Sequence, residues 1–447
     1  MSGSLKQTAP HQESSILECH QGLTSLRFKA RSLPEHRELH GLRNSLGRKL
    51  QNPRSFLHSK HERLCQTSPF RVRWRIVLVI LITSQCHQQQ SIETLHKVFK
   101  PLLLPLAMSR ALLTPKDVAL VIPTYNRSAD VARTLRVLIK NKNVPGRVYI
   151  IDQSKDSKTK NVVKKYAKRY PLHYVFSEQP SSSRAENIGV RLAKRHGFKL
   201  LLISGDDMDY LPGYMRNLVK EFNDHPELMG LGGMDVQSGA ARHVSRSRIS
   251  TFLLNFFFLP SAEDHKFRVT GPYGLTSSPV IKRPIRNAQW IPGFNNCFRK
   301  EVYENYAFPE SKGYNVLEDI DCSYAVYKKY GPGSLVITPA CKVWHRESQV
   351  ARYPAKKRIF VNHEDHFAFY YRHFHTPLGT LKMAWSLLGI VLGNVARTLA
   401  SREKEAFLHT IYVIQAMMLA YRNHENIKYG RFRTFLNDDL SLKAEYQ

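Results

Sequence analysis

Four short apolar runs begin at Val118 (VALVIP), Arg147 (RVYIIDQS), Leu172 (LHYVFSEQ) and Lys199 (KLLLISGDD), about 27 residues apart, and each is followed by a helical pattern. In the first of these helices Val131, Leu135 and Leu138 recur at helical spacing behind a Ser128 cap. Runs this short and apolar are strands covered on both faces. The intervening helices make them parallel, so the spacing predicts an α/β fold, a mainly parallel sheet with flanking helices. Ligands of such sheets sit at the carboxyl ends of the strands. The residues there are Pro123 to Arg127, Asp152, Glu178 and Asp206 to Asp209.

The chain has 447 residues, enough for two or three cores, and a formal net charge of +31, which implies partners carrying negative charge. The charge is uneven. Residues 1–107 hold 16 Lys and Arg against 6 Glu, with no Asp or Tyr, and this marks a boundary near Met108. Ile76 to Ile82 is the one apolar run in that segment, too short for the roughly 20 residues that span a bilayer. Two readings of residues 1–107 stay open: a basic tail, or an over-extended start with the natural chain beginning at Met108. Cys19, Cys65, Cys86, Cys297, Cys322 and Cys341 are too scattered for a zinc motif or a disulfide scaffold and fit a reducing compartment. The expected domains are an extension over 1–107, a catalytic domain over 108–350 and C-terminal helices over 351–447.

Neither GxGxxG after the first strand nor GxxxxGK[ST] occurs. The strand ends offer acids instead. Asp206, Asp207 and Asp209 cluster after the fourth strand, an arrangement that favours a bound cation, while Asp152 alone could equally be a turn former. Glu318, Asp319 and Asp321 open a later helix, where the dipole alone would favour them and a general base is the functional alternative. His345 ends a final strand and is either structural or a metal or phosphate partner.

The order VIPTYNR, Asp152, SSSRAEN-G, GDD, WIPGFNNCFRKEV, LEDID and VWH resembles the family 2 inverting glycosyltransferases of the Rossmann-like GT-A fold, nearest to bacterial rhamnosyltransferase-type members. The resemblance covers roughly Lys116 to Tyr371. It implies that Pro123, Thr124, Tyr125, Asn126 and Arg127 line a donor nucleotide, that Asp152 meets its base or ribose, and that Arg184 and Asn187 pack over it. Asp206 stands with the family's ribose and metal carboxylates, Asp207 as the likelier ligand of Mg²⁺ or Mn²⁺, and His345 meets the metal or diphosphate. Asp319 matches the catalytic base and Glu318 its neighbour. Gly205 departs from the family pattern, which leaves the choice among Asp206, Asp207 and Asp209 open, and Gln153 departs from it too, which leaves the nucleotide base open.

The implied reaction is inverting transfer from a nucleotide sugar to a glycan or lipid-linked acceptor, with metal assistance. The alternatives are a basic nucleic-acid-binding protein, which lacks a reading module, and a nucleotidyltransferase, for which the late acids and His345 are poorly placed. Gln349, Arg352 and Tyr353 resemble the QxxRW pattern of processive synthases with Tyr for Trp, but several spanning helices are not evident and a non-processive enzyme is expected. Met383 to Ala396 is apolar and too short to span, so it reads as a core helix or as an interfacial helix anchored by Trp385, with Phe407 to Tyr421 beside it. The stretch 239–288 carries no family motif. The expected place is the cytoplasm, peripheral to the inner face of the cell membrane, on an anionic surface and without a specific nucleic acid.

Overall fold

The computed structural model describes residues 111–237, 248–310, 315–431, 435–437 and 440–443. The chain divides into two units, Met1–Leu106 and Ala107–Gln447, and every described residue belongs to the second. The expectations for residues 1–107, including Ile76 to Ile82 and the three early cysteines, lie outside the described residues. Cys297, Cys322 and Cys341 are buried free thiols.

The opening half follows the predicted alternation: β1 (Val118–Thr124), α1 (Ser128–Lys140), β2 (Arg147–Asp152), α2 (Lys158–Ala167), β3 (Leu172–Phe176), α3 (Ser182–Arg195) and β4 (Leu200–Ser204). Val131, Leu135 and Leu138 are buried on one side of the sheet, while Ala185, Val190 and Ala193 of α3 are buried on the other. Ser181 caps α3 by accepting from the Arg184 amide at 3.3 Å. Ser128 does not cap α1; Arg127 holds the N-cap position and its side chain turns into the site.

Beyond β4 come β5 (Met208–Tyr210), α4 (Tyr214–Asp224), β6 (Gly230–Asp235), α5 (Arg248–Phe256) and three short strands, β7 (Ser261–Ala262), β8 (Arg268–Val269) and β9 (Leu275–Ser277). Then follow β10 (Asn295–Arg299), α6 (Glu318–Tyr330), β11 (Leu335–His345), α7 (Ala355–His373), α8 (Pro377–Ser401), α9 (Lys404–Arg422) and α10 (His424–Lys428). The main sheet has eight strands in the order β3-β2-β1-β4-β10-β6-β11-β5. Strands β1 to β4 pair in parallel, as do β6 and β11, whereas β10 runs antiparallel between β4 and β6. The stretch 239–288 contributes, among its described residues, α5 and the three-stranded sheet β7-β9-β8.

The reversal at β10 positions the site. It brings β6 and β11, neither adjacent in sequence to β1 or β4, alongside the first four strands with their C-terminal ends at one edge. The C-terminal helices are fastened to this body through Asp321 on α6. Its buried carboxylate accepts from Arg372 at 2.6 Å, His373 at 2.9 Å and Tyr306 at 2.7 Å. Burial opposes ionisation of Asp321, but the Arg372 charge and the His373 and Tyr306 hydrogen bonds outweigh it and hold the carboxyl below its usual range.

Helix α8 corrects the sequence reading of a 14-residue apolar segment. It runs 25 residues, about 37 Å at 1.5 Å per residue. By length and composition it could cross a membrane, and only 22% of its most apolar window is buried, so it is not a core helix. The sequence reading stopped at Lys382 and Arg397, which the helix passes through.

Asp321→Ala is expected to destabilise the protein by about 3 kcal/mol, because it strands Arg372 and His373 against a buried face. Urea unfolding followed by far-UV circular dichroism measures this, and an unchanged midpoint would refute the fastening role.

Candidate active site

Parallel pairing of β1 with β4 sets Thr124 beside the loop that leaves β4. The Thr124 hydroxyl donates to Asp206 Oδ2 at 2.7 Å, and Arg127 Nη1 lies 3.2 Å from Asp206 Oδ1. Burial raises the Asp206 carboxyl to about 6, with the Arg127 charge and the Thr124 hydrogen bond acting against it. Asp207 is different. Burial alone would raise it, but His345 Nε2 at 3.4 Å and the Ser348 amide at 2.9 Å outweigh burial and bring it down to about 2. Asp209, on β5, is held by Arg133 at 2.8 Å and by Arg346. The three acids thus divide: Asp209 is paired with guanidinium groups, Asp206 is bound to Thr124 and Arg127, and Asp207 faces the end of β11.

That end carries the metal-capable group. Parallel pairing of β6 with β11 places Asp235 next to Val343, two residues before His345. Asp235, His345 and Glu347 present ligand atoms that all lie within 4.8 Å of one another. Glu347 reaches this position from a left-handed backbone, φ 52°. Two carboxylates and an imidazole fit Mn²⁺ or Mg²⁺. His345 was expected in such a site, whereas Asp235 and Glu347 were not. Asp207 borders the group through His345, and Asp206 lies outside it. Asp235 escaped notice because β6 reads GLGGMD, whose glycines signal a loop.

The residues expected at the nucleotide lie around the ends of β1 to β3. Asn126, in a left-handed conformation at φ 55°, ties two strand ends together. Its amide donates to Ser154 Oγ at 2.8 Å, and its side chain accepts from the Lys155 amide at 3.1 Å. Pro123 and Tyr125 beside it are half-buried. The Asp152 carboxylate accepts from the Ser154 amide and from the Tyr174 hydroxyl, each at 2.9 Å. Gln153 donates to Gln179 O at 2.7 Å and accepts from the Ser181 amide at 3.2 Å, so it holds the loop before α3. Arg184 pairs with Gln179 in that same loop. Asn187 differs from expectation. It is buried, donates to Phe308 O at 2.8 Å and accepts from the Phe308 amide at 3.0 Å, and so fastens the 308–310 segment rather than facing a nucleotide.

The candidate base sits at the first turn of α6. Asp319 accepts from the Ile320 amide at 2.8 Å and from the Gly293 amide. A Cβ on Gly293 would lie 2.8 Å from Asp319 Cβ, so only glycine admits the carboxyl there. Burial raises the Asp319 carboxyl to about 6 against these two hydrogen bonds. The residue keeps some solvent contact. Two further carboxyls crowd it. Glu318, its predicted neighbour, and Glu186 on α3, which the sequence did not single out, are both pushed upward, first by burial and then by the surrounding acids. Glu186 Oε2 and Glu318 Oε2 are buried without a hydrogen-bond partner. Glu186 was hidden inside a polar helix, where an isolated Glu gives no signal.

One dipeptide joins the two halves. Gly293 abuts Asp319, and Phe294 stacks on His345 with ring centroids 5.5 Å apart. Phe294 O also accepts from Ser204 Oγ at 3.0 Å, tying the dipeptide to the end of β4.

Residues 119–279 match the family model described as Glycosyl transferase family 2. The matched span runs from β1 to β9 of the mainly parallel α/β body, and the C-terminal helical region lies beyond it. The match takes in Pro123 to Arg127, Asp152, Asp206, Asp207 and Asp235 and ends before Asp319 and His345. No curated protein matches the chain. Among solved structures, S. aureus TarS 1-349 in complex with UDP-GlcNAc is similar at 14% identity and a TM-score of 0.40, over 70% of this chain and 87% of that one. The mannosyltransferase PcManGT from Pyrobaculum calidifontis, in complex with GDP-Man and Mn²⁺, is similar at 15% identity and a TM-score of 0.39, over 75% of this chain and 97% of that one.

Titration of the full chain with Mn²⁺ in the presence of a nucleoside diphosphate is expected to show binding that weakens at least about tenfold in His345→Ala and in Asp235→Asn. Calorimetry reads both. Undiminished affinity in the two variants would remove the metal assignment.

Proposed function

We propose that the protein transfers a sugar from a nucleoside-diphosphate sugar to an acceptor hydroxyl with inversion at the anomeric carbon. The observation that carries the reading is the Gly293–Phe294 dipeptide, which sets a carboxyl suited to be a base beside a group suited to a divalent cation. The family 2 match over residues 119–279 supports the same class of chemistry.

Asp235, His345 and Glu347 would hold Mn²⁺ or Mg²⁺, with Asp207 at their border. When bound, the cation offsets the negative charge of the diphosphate leaving group. Arg127, beside Asp206, adds a fixed cation at the same strand ends. Asp319 takes the proton from the acceptor hydroxyl as the new bond from oxygen to the anomeric carbon forms. The bond from that carbon to the diphosphate oxygen breaks on the opposite face, and the nucleoside diphosphate leaves with the electron pair. One displacement inverts the configuration, so no enzyme nucleophile is required. A base with its carboxyl near 6 is mostly ionised at neutral pH yet still a better proton acceptor than an ordinary Asp. Glu186 and Glu318, held higher, stay protonated there and do not oppose that charge.

Within this class we place the protein nearest the bacterial rhamnosyltransferase type, on the order of its motifs. The acceptor we propose is a lipid-linked glycan or surface-polysaccharide precursor at the inner face of the cell membrane, where the basic charge of the chain would favour attachment.

A screen of UDP-, dTDP- and GDP-sugars with Mn²⁺ or Mg²⁺ is expected to find turnover. Asp319→Asn should lower kcat by about 10²- to 10⁴-fold while donor binding persists. NMR of the product should show the opposite anomeric configuration to the donor, and retention would refute single displacement. The rate of the parent enzyme should rise with pH through about 6 as Asp319 loses its proton. A rate independent of pH between 5 and 8 would separate Asp319 from proton removal.

A further inference from the structure

Helix α8 turns an uninterrupted apolar stripe to solvent. Leu378, Leu381, Leu388, Leu392, Val395 and Leu399 are 64%, 64%, 44%, 50%, 40% and 71% exposed, and their spacing keeps them on one side of the helix. The opposite side is docked on the protein from end to end. Met383, Ser386 and Gly389 are buried, and a Cβ on Gly389 would lie 2.5 Å from Phe257 Cβ. Farther along, Asn394 Oδ1 pairs with His409 Nδ1 at 3.1 Å, and the Thr398 and Thr410 hydroxyls meet at 2.9 Å.

Helix α5, which comes from the stretch without a family motif, extends the stripe sideways. Ile249, Phe252, Leu253 and Phe256 are 73%, 65%, 48% and 49% exposed. Phe256 meets the Trp385 ring edge-on at 5.4 Å, and Trp385 Nε1 donates to Phe256 O at 2.9 Å, so the two helices share one surface. Its sequence surroundings are cationic. Arg248 of α5, Arg397 of α8 and Arg402 at its C-terminus are exposed, and neither helix contains an Asp or Glu.

We infer that α5 and α8 form a single monotopic face, with α8 lying in the plane of an anionic bilayer rather than crossing it. A helix long and apolar enough to span would have to pull Ser386, Asn394 and Thr398 from their partners into hydrocarbon. Lying flat, it inserts only the stripe and leaves those bonds intact, with the exposed Arg397 and Arg402 at headgroup level. Two apolar helices that contain no Asp or Glu and carry exposed Arg248, Arg397 and Arg402 complement anionic lipid. The seating of a lipid-linked acceptor beside the site rests on the proposed sugar transfer; the lipid contact itself does not.

The test is sedimentation of the full chain with phosphatidylcholine vesicles, with and without about a third phosphatidylglycerol. The expected result is binding to the anionic vesicles that falls with added salt. Leu381→Asp combined with Leu392→Asp should weaken it at least about tenfold. Leu112→Asp, at a leucine 75% exposed elsewhere, should leave it unchanged. Solution turnover of donor should be the same in all three proteins. Parent-like vesicle binding by the double variant would overturn the inference. So would a chain that resists high salt and alkaline carbonate and needs detergent for release, since α8 would then span. A double variant that only converts a dimer to monomer would reassign the face to a second copy of the chain. Loss of donor turnover with vesicle binding intact would instead count against sugar transfer and leave this face standing.

Discussion

Carboxylates gathered at one edge of a sheet repel one another, and each must be given a cation, a donor or a proton before the fold can close around them. The rest of the site follows from how this chain distributes those partners. Asp209 receives two arginines, Asp206 an arginine and a hydroxyl, Asp207 an imidazole and an amide. Asp235 receives the His345 and Gln237 amides, and with Glu347 and His345 it presents ligand atoms in a geometry that suits a divalent ion. On the other side of Phe294 the solution is protonation, with Glu186 and Glu318 both raised so that neither opposes a charge on Asp319 at neutral pH.

Arg346 is the least conspicuous member of this arrangement and among the most connected. From the end of β11 its Nη2 donates to Asp130 O at 3.2 Å and Thr134 Oγ1 at 3.1 Å, while Nη1 pairs with Asp209. It therefore stitches the last strand of the sheet to the first helix. The next residues continue over the site: Ser348 Oγ donates to Asp130 at 2.8 Å, and Val350 O accepts from Arg127 at 2.7 Å. The segment that supplies Glu347 is thus held at both ends by charged contacts with α1 and its N-cap.

The alternation of strands and helices up to β4 could be read from the sequence because both of its periodicities are strong and local. Strand β11 and its terminal His345 were legible for the same reason. Strand β10 was not, since NNCFR gains its place only from two antiparallel neighbours that are distant in sequence. Strand β6 was hidden by three glycines, and Asp235 with it. The acids that open α6 were visible as a cluster, but Glu186 becomes part of the site only when α3 is laid beside α6. Asn187 shows the converse: a motif position correctly located in a helix, whose amide is engaged by a loop 121 residues away.

The metal-capable group draws on both ends of a long stretch of chain: Asp235 and His345 are 110 residues apart. During synthesis at about 5–20 residues per second, roughly 5–20 seconds separate the emergence of the first ligand from that of the second. Through that interval the early acids stand at a half-built sheet edge without His345, Arg346 or the Ser348 amide to balance them. The growing chain therefore does not assemble the Asp235, His345 and Glu347 group until β11 is in place, and an interrupted product ending before β11 would carry the span matched by the family model without that group.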